Sequence, residues 1–121
     1  MPRVIHFEIG VDNPGRSARF YTKVFGWKIE KWAGPTDYWL VTTGENSEPG
    51  INGAIMPRSD SSTTVNTIGV SSYDEFARKI TAAGGKAVSP KMTIPGIGQY
   101  GYFLDTEGNR FGIMQNDPSA K

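Results

Sequence analysis

The chain has 121 residues, 37% of them hydrophobic, so we expect a single domain that buries its own core. Its 13 basic and 12 acidic residues give a formal net charge of +1, which argues against a nucleic-acid partner. There is no cysteine, which excludes disulfides and thiolate chemistry, and no apolar run approaches the ~20 residues of a membrane span. The composition therefore predicts a cytoplasmic protein without a membrane partner.

The first predicted element is a strand from about Val4 to Val11, whose side chains alternate between two faces. His6, the single histidine of the chain, shares one face with Glu8. The other face is uniformly apolar and is predicted to pack against a helix; it consists of Ile5, Phe7, Ile9 and Val11.

A helix is predicted next, because Asn13 can cap free amides and Pro14 suits the first helical position. Gly26 suits the left-handed residue that ends a helix. The apolar stripe of this helix is Ala18, Tyr21, Val24 and Phe25. Three short strands are then predicted, over residues 27–32, 38–43 and 50–56.

The same order of elements returns after a polar linker that contains Ser59 to Ser62. A strand begins at Val65, and Ser72 with Glu75 forms a capping box for a second helix that ends at Gly84. The predicted buried stripe of this helix is Phe76, Ile80 and Ala83. Strands are predicted over residues 86–89, 99–104 and 110–115, with a loop at 90–98 and a hairpin turn at 105–109.

Equivalent residues of the two halves keep a constant spacing. Val11 and Val70 are 59 positions apart (70 − 11), as are Gly26 and Gly85, while the segments from Gly50 and Gly108 are 58 apart (108 − 50). Two copies at a period near 60 indicate a tandem duplication rather than a solenoid. The sequence thus predicts an α+β domain over residues 1–121, with βαβββ modules at 1–57 and 65–117 and a linker at 58–64.

The chain resembles the glyoxalase/bleomycin-resistance/extradiol-dioxygenase proteins, the vicinal oxygen chelate superfamily, and within it the branch labelled "related to lactoylglutathione lyase". This resemblance implies that the sheets of the two modules curve into a cupped, incomplete barrel. It also implies homodimers, which are common among family members of this length. The segments that carry the resemblance are residues 6–9, 20–27, 38–41, 50–56 and 105–115.

The resemblance places four metal-ligand positions in this sequence, on the first and last strands of the two modules. His6 can ligate a metal, whereas Val65, Ala54 and Gly112 have no ligand atom. A catalytic divalent ion requires about three protein ligands. We therefore expect no metal and no other cofactor; a different metal site, built from His6 and Glu8 with help from Asn52 or Gln115, is the alternative.

His6 and Glu8 are the candidate catalytic residues. An imidazole that titrates near neutral pH can act as a general base or orient a ligand, or His6 is a vestigial ligand that only forms a hydrogen bond in the pocket. Glu8 is either its partner or a salt-bridged surface carboxylate.

Aromatic side chains on the strands predict a pocket for a flat organic ligand, which amide side chains could orient. These aromatic residues are Tyr38, Trp39, Tyr100, Tyr102, Phe103 and Phe111. For each aromatic residue, core packing or a dimer contact is the alternative, and Asn52 could instead serve its turn. The loop at 90–98 has flanking glycines and is a candidate lid or an ordered connection. The predicted ligand-binding residues are Trp39, Asn52, Tyr100, Tyr102 and Gln115.

These observations predict a metal-independent glyoxalase-like protein that binds a small organic molecule, with catalysis left open. If the protein is an enzyme, the resemblance implies a lyase-like or dioxygenase-like activity. One alternative is a metal-dependent lyase, isomerase or dioxygenase with a rearranged site around His6. Another is a drug-sequestering protein of the resistance type, although the net charge of +1 does not favour binding of cationic drugs.

Overall fold

A computed structural model describes residues 2–58 and 63–121 of the chain; the linker residues Ser59 to Ser62 lie outside the described part. Within it, no helix has the length and apolar character needed to cross a membrane. The elements in chain order are β1 (Arg3–Val11), α1 (Pro14–Phe25), β2 (Lys28–Lys31), β3 (Trp39–Thr42), β4 (Gly53–Pro57), β5 (Thr64–Gly69), α2 (Tyr73–Ala82), β6 (Lys86–Ala87), β7 (Met92–Ile94), β8 (Gly98–Leu104) and β9 (Arg110–Asn116).

The chain divides into two compact units. One is His6–Val65, and the other combines Met1–Ile5 with Asn66–Lys121. We call them the first and second unit. Each unit contains nearly all of one module. The exceptions are the first three residues of β1, which belong to the second unit, and the first two residues of β5, which belong to the first unit.

The first unit holds strands in the order β2-β3-β4-β1, with β1 parallel to β4 and the other neighbours antiparallel. The register aligns Glu8 with Ala54 and Ala54 with Leu40, so these three side chains share one face. The opposite face carries Ile55 and Trp39, which are aligned in the same way.

Helix α1 begins and ends as predicted. The Asn13 side chain accepts a hydrogen bond of 3.0 Å from the backbone N–H of Arg16, and Gly26 follows the helix with φ of 74°. Tyr21 stacks on Trp27 at 4.9 Å between ring centroids, and Trp27 lies 6.1 Å from Phe7 on β1. These contacts place the apolar face of β1 against the helix.

The predicted apolar stripe of α1 is only partly correct. Val24 and Phe25 are 55% and 60% exposed, and Ile5 on β1 is 38% exposed. Phe25 is the last residue of the helix and stacks on Tyr21 and Trp27 with ring centroids 6.2 and 5.7 Å apart. The three aromatic rings thus pack against one another, and the part of the Phe25 ring that contacts neither of the other two is exposed to solvent.

The second unit contains β5 parallel to β9, which pairs antiparallel with β8; β6 and β7 both pair with β8. Ser72 Oγ accepts a hydrogen bond from the N–H of Glu75 and caps α2 as predicted. The core forms around Tyr73, Phe103 and Ile113. Ala83 is exposed, which corrects the predicted stripe. Tyr73 belongs to the buried stripe instead of Ala83, because it starts the i, i+3, i+7 series that continues with Phe76 and Ile80.

The predicted loop at 90–98 contains a strand. β7 pairs antiparallel with the start of β8, and the N–H of Ile97 donates a hydrogen bond of 3.0 Å to the Ile94 carbonyl. Pro95 and Gly96, with φ of 77° at Gly96, supply the residues that a tight turn of this kind requires. The segment is therefore a paired hairpin rather than an irregular lid.

The prediction of an α+β fold with two tandem βαβββ modules is confirmed. Each module begins with a strand that is parallel to its last strand, with a helix directly after the first strand. The second module differs from the first by the additional short strand β7.

Candidate functional site

Three polar side chains meet in the first unit, on the sheet face opposite α1. The Tyr38 hydroxyl donates a hydrogen bond of 2.7 Å to Glu8 Oε2, and His6 Nε2 lies 2.8 Å from the same hydroxyl oxygen. The two rings of His6 and Tyr38 are nearly parallel, with centroids 6.4 Å apart. We refer to His6, Tyr38 and Glu8 as the His6 trio.

Local structure explains how the His6 trio forms. His6 and Glu8 are two residues apart on β1 and therefore point to the same side of the sheet. Tyr38 lies directly before β3, where its carbonyl accepts a hydrogen bond of 2.8 Å from the N–H of Trp32. This bond extends the strand pairing to Tyr38. Because Tyr38 is two residues before Leu40, its side chain lies on the sheet face that carries Leu40 and Glu8.

The His6 trio lies at the boundary between the protein interior and the solvent. Glu8 is only 7% exposed, whereas His6 and Tyr38 are half-buried. Burial lowers the pKa of the His6 imidazole from its ordinary value of 6.5, and the negative charge of Glu8 opposes this effect in part. Burial therefore favours the neutral form of the imidazole at pH 7.

The hydrogen-bond directions indicate one tautomer of His6. The hydrogen of the Tyr38 hydroxyl points to Glu8, so the hydroxyl oxygen accepts from His6, and Nε2 carries the proton. The Nδ1 atom then has its lone pair available. Within the described part of the chain, the imidazole makes no other hydrogen bond. This arrangement can accept a hydrogen bond or a proton from a bound molecule.

The residues of the His6 trio do not fit the metal site of the resembled family. The Tyr38 hydroxyl lies between His6 and Glu8, where an ion shared by these two side chains would have to lie. Its distances of 2.8 and 2.7 Å are those of hydrogen bonds, while zinc ligands lie at ~2.0–2.2 Å. Among residues 2–58 and 63–121, no three His, Cys, Asp or Glu side chains are grouped to hold a metal.

The two other predicted site residues of the first unit do not join the His6 trio. Trp39 lies on the sheet face that packs against α1, where it is aligned with Ile55. Lys31 Nζ lies 5.5 Å from the centre of its ring. Asn52 Oδ1 accepts a hydrogen bond of 2.9 Å from the N–H of Thr43 and so stabilises its turn. Neither position supports a ligand contact shared with His6.

In the second unit, Tyr100 and Tyr102 lie on the face of β8 opposite α2. Their rings are perpendicular with centroids 6.0 Å apart, and the Arg110 guanidinium lies 4.7 Å above Tyr102. Gln115 lies on the other face, where its Oε1 accepts a hydrogen bond of 2.8 Å from the N–H of Tyr73. Gln115 thus satisfies a free amide at the start of α2 and is not grouped with the two tyrosines.

Two residues were not among the predicted catalytic or ligand-binding residues: Arg110, and Tyr38, which was expected only as one of the aromatic residues of the pocket. Tyr38 shares the face of Glu8, and the alternation of β3 together with its pairing to β4 would have indicated this. Arg110 is two residues before Gly112 on β9, so it shares the face of Tyr102, which is aligned with Gly112. In both cases the position follows from the register between paired strands, which the sequence of one strand alone does not reveal.

Comparison with known proteins identifies the family. The family model of the "Glyoxalase/Bleomycin resistance protein/Dioxygenase superfamily" matches residues 3–113. The comparison with curated protein sequences finds no match.

Three solved structures share the fold at low sequence identity. A hypothetical protein from Bacillus halodurans C-125 is 15% identical, with a TM-score of 0.70 over 99% of this chain and 98% of that one. Methylmalonyl-CoA epimerase from Mycobacterium tuberculosis is 12% identical, with a TM-score of 0.71 over 95% and 88% of the two chains. A single-residue variant of the Streptomyces coelicolor epimerase, in complex with 2-nitronate-propionyl-CoA, is 11% identical, with a TM-score of 0.70 over 98% and 97%. At such identities the similarity establishes the fold alone.

Proposed function

Since the chain belongs to the glyoxalase/bleomycin resistance protein/dioxygenase superfamily, we propose that it binds a small organic molecule at the His6 trio without a metal ion. The observation that carries this proposal is the hydrogen-bonded series from His6 through Tyr38 to Glu8. It leaves one acceptor atom, Nδ1 of His6, available to a ligand. The expected ligand is therefore a molecule that presents an O–H or N–H group to this atom.

The surroundings of the His6 trio also suit an organic molecule. Leu40 and Ala54 lie on the same sheet face, and Leu40 is 43% exposed. Ligand sites commonly combine an apolar surface with a few polar groups that fix orientation. Here the exposed Leu40 supplies the apolar surface, with the fully buried Ala54 beside it, and His6 supplies the orienting group.

The His6 trio can also move a proton. When Nδ1 accepts a proton, the imidazole becomes positively charged, and the negative charge of Glu8 stabilises that form. Tyr38 joins the two groups, so it positions His6 rather than reacting itself. The geometry thus supports general-base chemistry on a bound molecule with an acidic O–H, N–H or C–H group.

Because His6 is the single histidine, its ring nitrogens give one assigned set of signals in a nitrogen-15 NMR spectrum. We would record these signals with a chelator present while adding propionyl-CoA, catechol, bleomycin and a general fragment library. The expected result is a saturable shift of the His6 signals with at least one compound. Tyr38→Phe should weaken that binding, whereas Tyr21→Phe, a matched loss of a hydroxyl away from the site, should not.

Two outcomes would overturn the proposal. In one, no compound shifts the His6 signals although some compounds bind elsewhere on the protein. In the other, binding occurs only after a divalent metal is added, which would instead favour a metal-dependent enzyme with a rearranged site.

We infer in addition that the protein is a cytoplasmic homodimer in which both modules form a single domain. Exposed apolar side chains on α1 support self-association, because Phe20, Val24 and Phe25 are each more than half exposed. β2 is the end strand of the first unit and offers an edge for pairing. Light scattering should give twice the chain mass; a monomer at micromolar concentration would contradict this.

A further inference from the structure

The second unit contains a cleft that the His6 trio does not use. It has a volume of about 310 Å³ and lies at the start of β1 and the ends of β5 and β9. A volume of this size is at the lower end of those that hold small molecules. The residues that determine its character are Arg3, Ile5, Gly69, Ser71, Met114 and Asn116.

The floor of the cleft is apolar and remains open because Gly69 has no side chain. Gly69 is aligned with Met114 in the parallel pair of β5 and β9. A Cβ atom at Gly69 would lie 3.0 Å from Ile5 Cδ1, so any larger residue would occupy this space. The N–H of Val70 donates a hydrogen bond of 2.9 Å to the Met114 carbonyl and holds the two strand ends together.

Polar side chains surround this floor. Within the described ranges, the side chains of Arg3, Ser71 and Asn116 make no hydrogen bond or ion pair. No aspartate or glutamate lines the cleft, so the guanidinium is its only charged group among the described residues. The electrostatic potential there is therefore positive, and the available groups can all donate hydrogen bonds.

We propose that this cleft binds a small organic anion. A carboxylate or phosphate group pairs with the planar fork of Arg3, which can donate two parallel hydrogen bonds to such a group. Ser71 and Asn116 donate to the remaining oxygen atoms. The apolar body of the ligand lies on Gly69 and Met114. The cleft shares no residue with the His6 trio, so the two proposals succeed or fail independently.

The test uses benzoate and phenyl phosphate as probes and benzamide as an uncharged analogue. Both anions are added to nitrogen-15-labelled full-length protein, and backbone amide shifts are followed. The expected result is a saturable shift at Gly69, Ser71 and Asn116 with at least one anion and none with benzamide. The anion that binds more tightly identifies carboxylate or phosphate as the preferred group.

Arg3→Gln is expected to weaken the binding about tenfold, since it removes a charge-assisted hydrogen bond at an exposed site. Arg16→Gln, which removes an exposed arginine of α1, should leave it unchanged. Gly69→Val should abolish binding by filling the cleft, with retention of the fold checked by circular dichroism. Equal affinity of Arg3→Gln and the unmodified protein would overturn the proposal, as would the absence of shifts at millimolar concentration of both anions.

Discussion

Tyr38 donates its hydroxyl hydrogen to Glu8 over 2.7 Å and thereby supplies a hydrogen bond to a carboxylate that is only 7% exposed. A buried carboxylate without such a partner would destabilise the fold. The same hydroxyl contacts His6 at 2.8 Å, so one side chain next to β3 connects His6 and Glu8 of β1. The stability of the first unit and the state of His6 therefore both depend on Tyr38.

Removal of the Tyr38 hydroxyl should destabilise the protein. We expect Tyr38→Phe to lower the free energy of unfolding by about 1–2 kcal/mol, because Glu8 and His6 both lose a hydrogen-bond partner. Urea denaturation followed by tryptophan fluorescence measures the change. The control is Tyr21→Phe, whose hydroxyl makes no hydrogen bond among the described residues and which should change stability by less than about 0.5 kcal/mol. Equal effects of the two variants would contradict the account.

Burial makes the stability of the protein depend on the charge of His6. The pKa of His6 is lower in the folded state than its ordinary value of 6.5, so the unfolded chain binds the proton more readily. The contribution of neutral His6 is fully present above pH 6.5 and is lost as the pH falls through the folded-state pKa. His6→Asn should remove this part of the pH dependence. An NMR titration of the His6 ring in the folded protein should give a pKa below 6.5, and one above 6.5 would contradict the assignment.

Glu8 should influence that titration in a defined direction. Its negative charge raises the pKa of His6, although less than burial lowers it. Glu8→Gln should therefore lower the pKa of His6 further. An unchanged pKa in Glu8→Gln would show that the carboxylate and the imidazole are not coupled.

Gln115 should contribute to stability rather than to ligand binding. Its Oε1 accepts a hydrogen bond from the N–H of Tyr73 at the start of α2. Gln115→Leu should lower the free energy of unfolding by about 1 kcal/mol, the usual effect of losing a helix cap. Gln115→Glu keeps an acceptor oxygen at this position and should therefore retain most of the stability of the unmodified protein. If Gln115→Leu left stability unchanged but reduced binding of a ligand at the His6 trio, the role in capping would be wrong.

Local sequence patterns were sufficient to predict most of the fold. The Asn13-Pro14 start of α1 and the Ser72 cap of α2 were correct because caps depend on a few adjacent residues. The spacing of repeated residues was sufficient to predict two modules. Errors arose where packing decides the outcome, as at Phe25, whose exposure depends on how its ring meets Tyr21 and Trp27.

The candidate site was less predictable than the fold. Alternation on β1 placed His6 and Glu8 together, since residues two apart share a face. It could not place Tyr38 between them, because that depends on the pairing of β4 with both β1 and β3. Trp39 and Gln115 were assigned to a ligand pocket on the basis of residue type. The register places Trp39 on the face of α1, and Gln115 is hydrogen-bonded to α2.

The most direct test of the account is a zinc titration of chelator-treated protein, followed through the ring nitrogens of His6. Because the Tyr38 hydroxyl occupies the position between His6 and Glu8, we predict that one equivalent of Zn²⁺ leaves both nitrogen signals unchanged. Nε2 should keep the chemical shift of a protonated nitrogen, and Nδ1 that of a nitrogen with a free lone pair. A shift of either signal that saturates at one ion per chain would show that the His6 trio is a metal site and would contradict metal-independent binding.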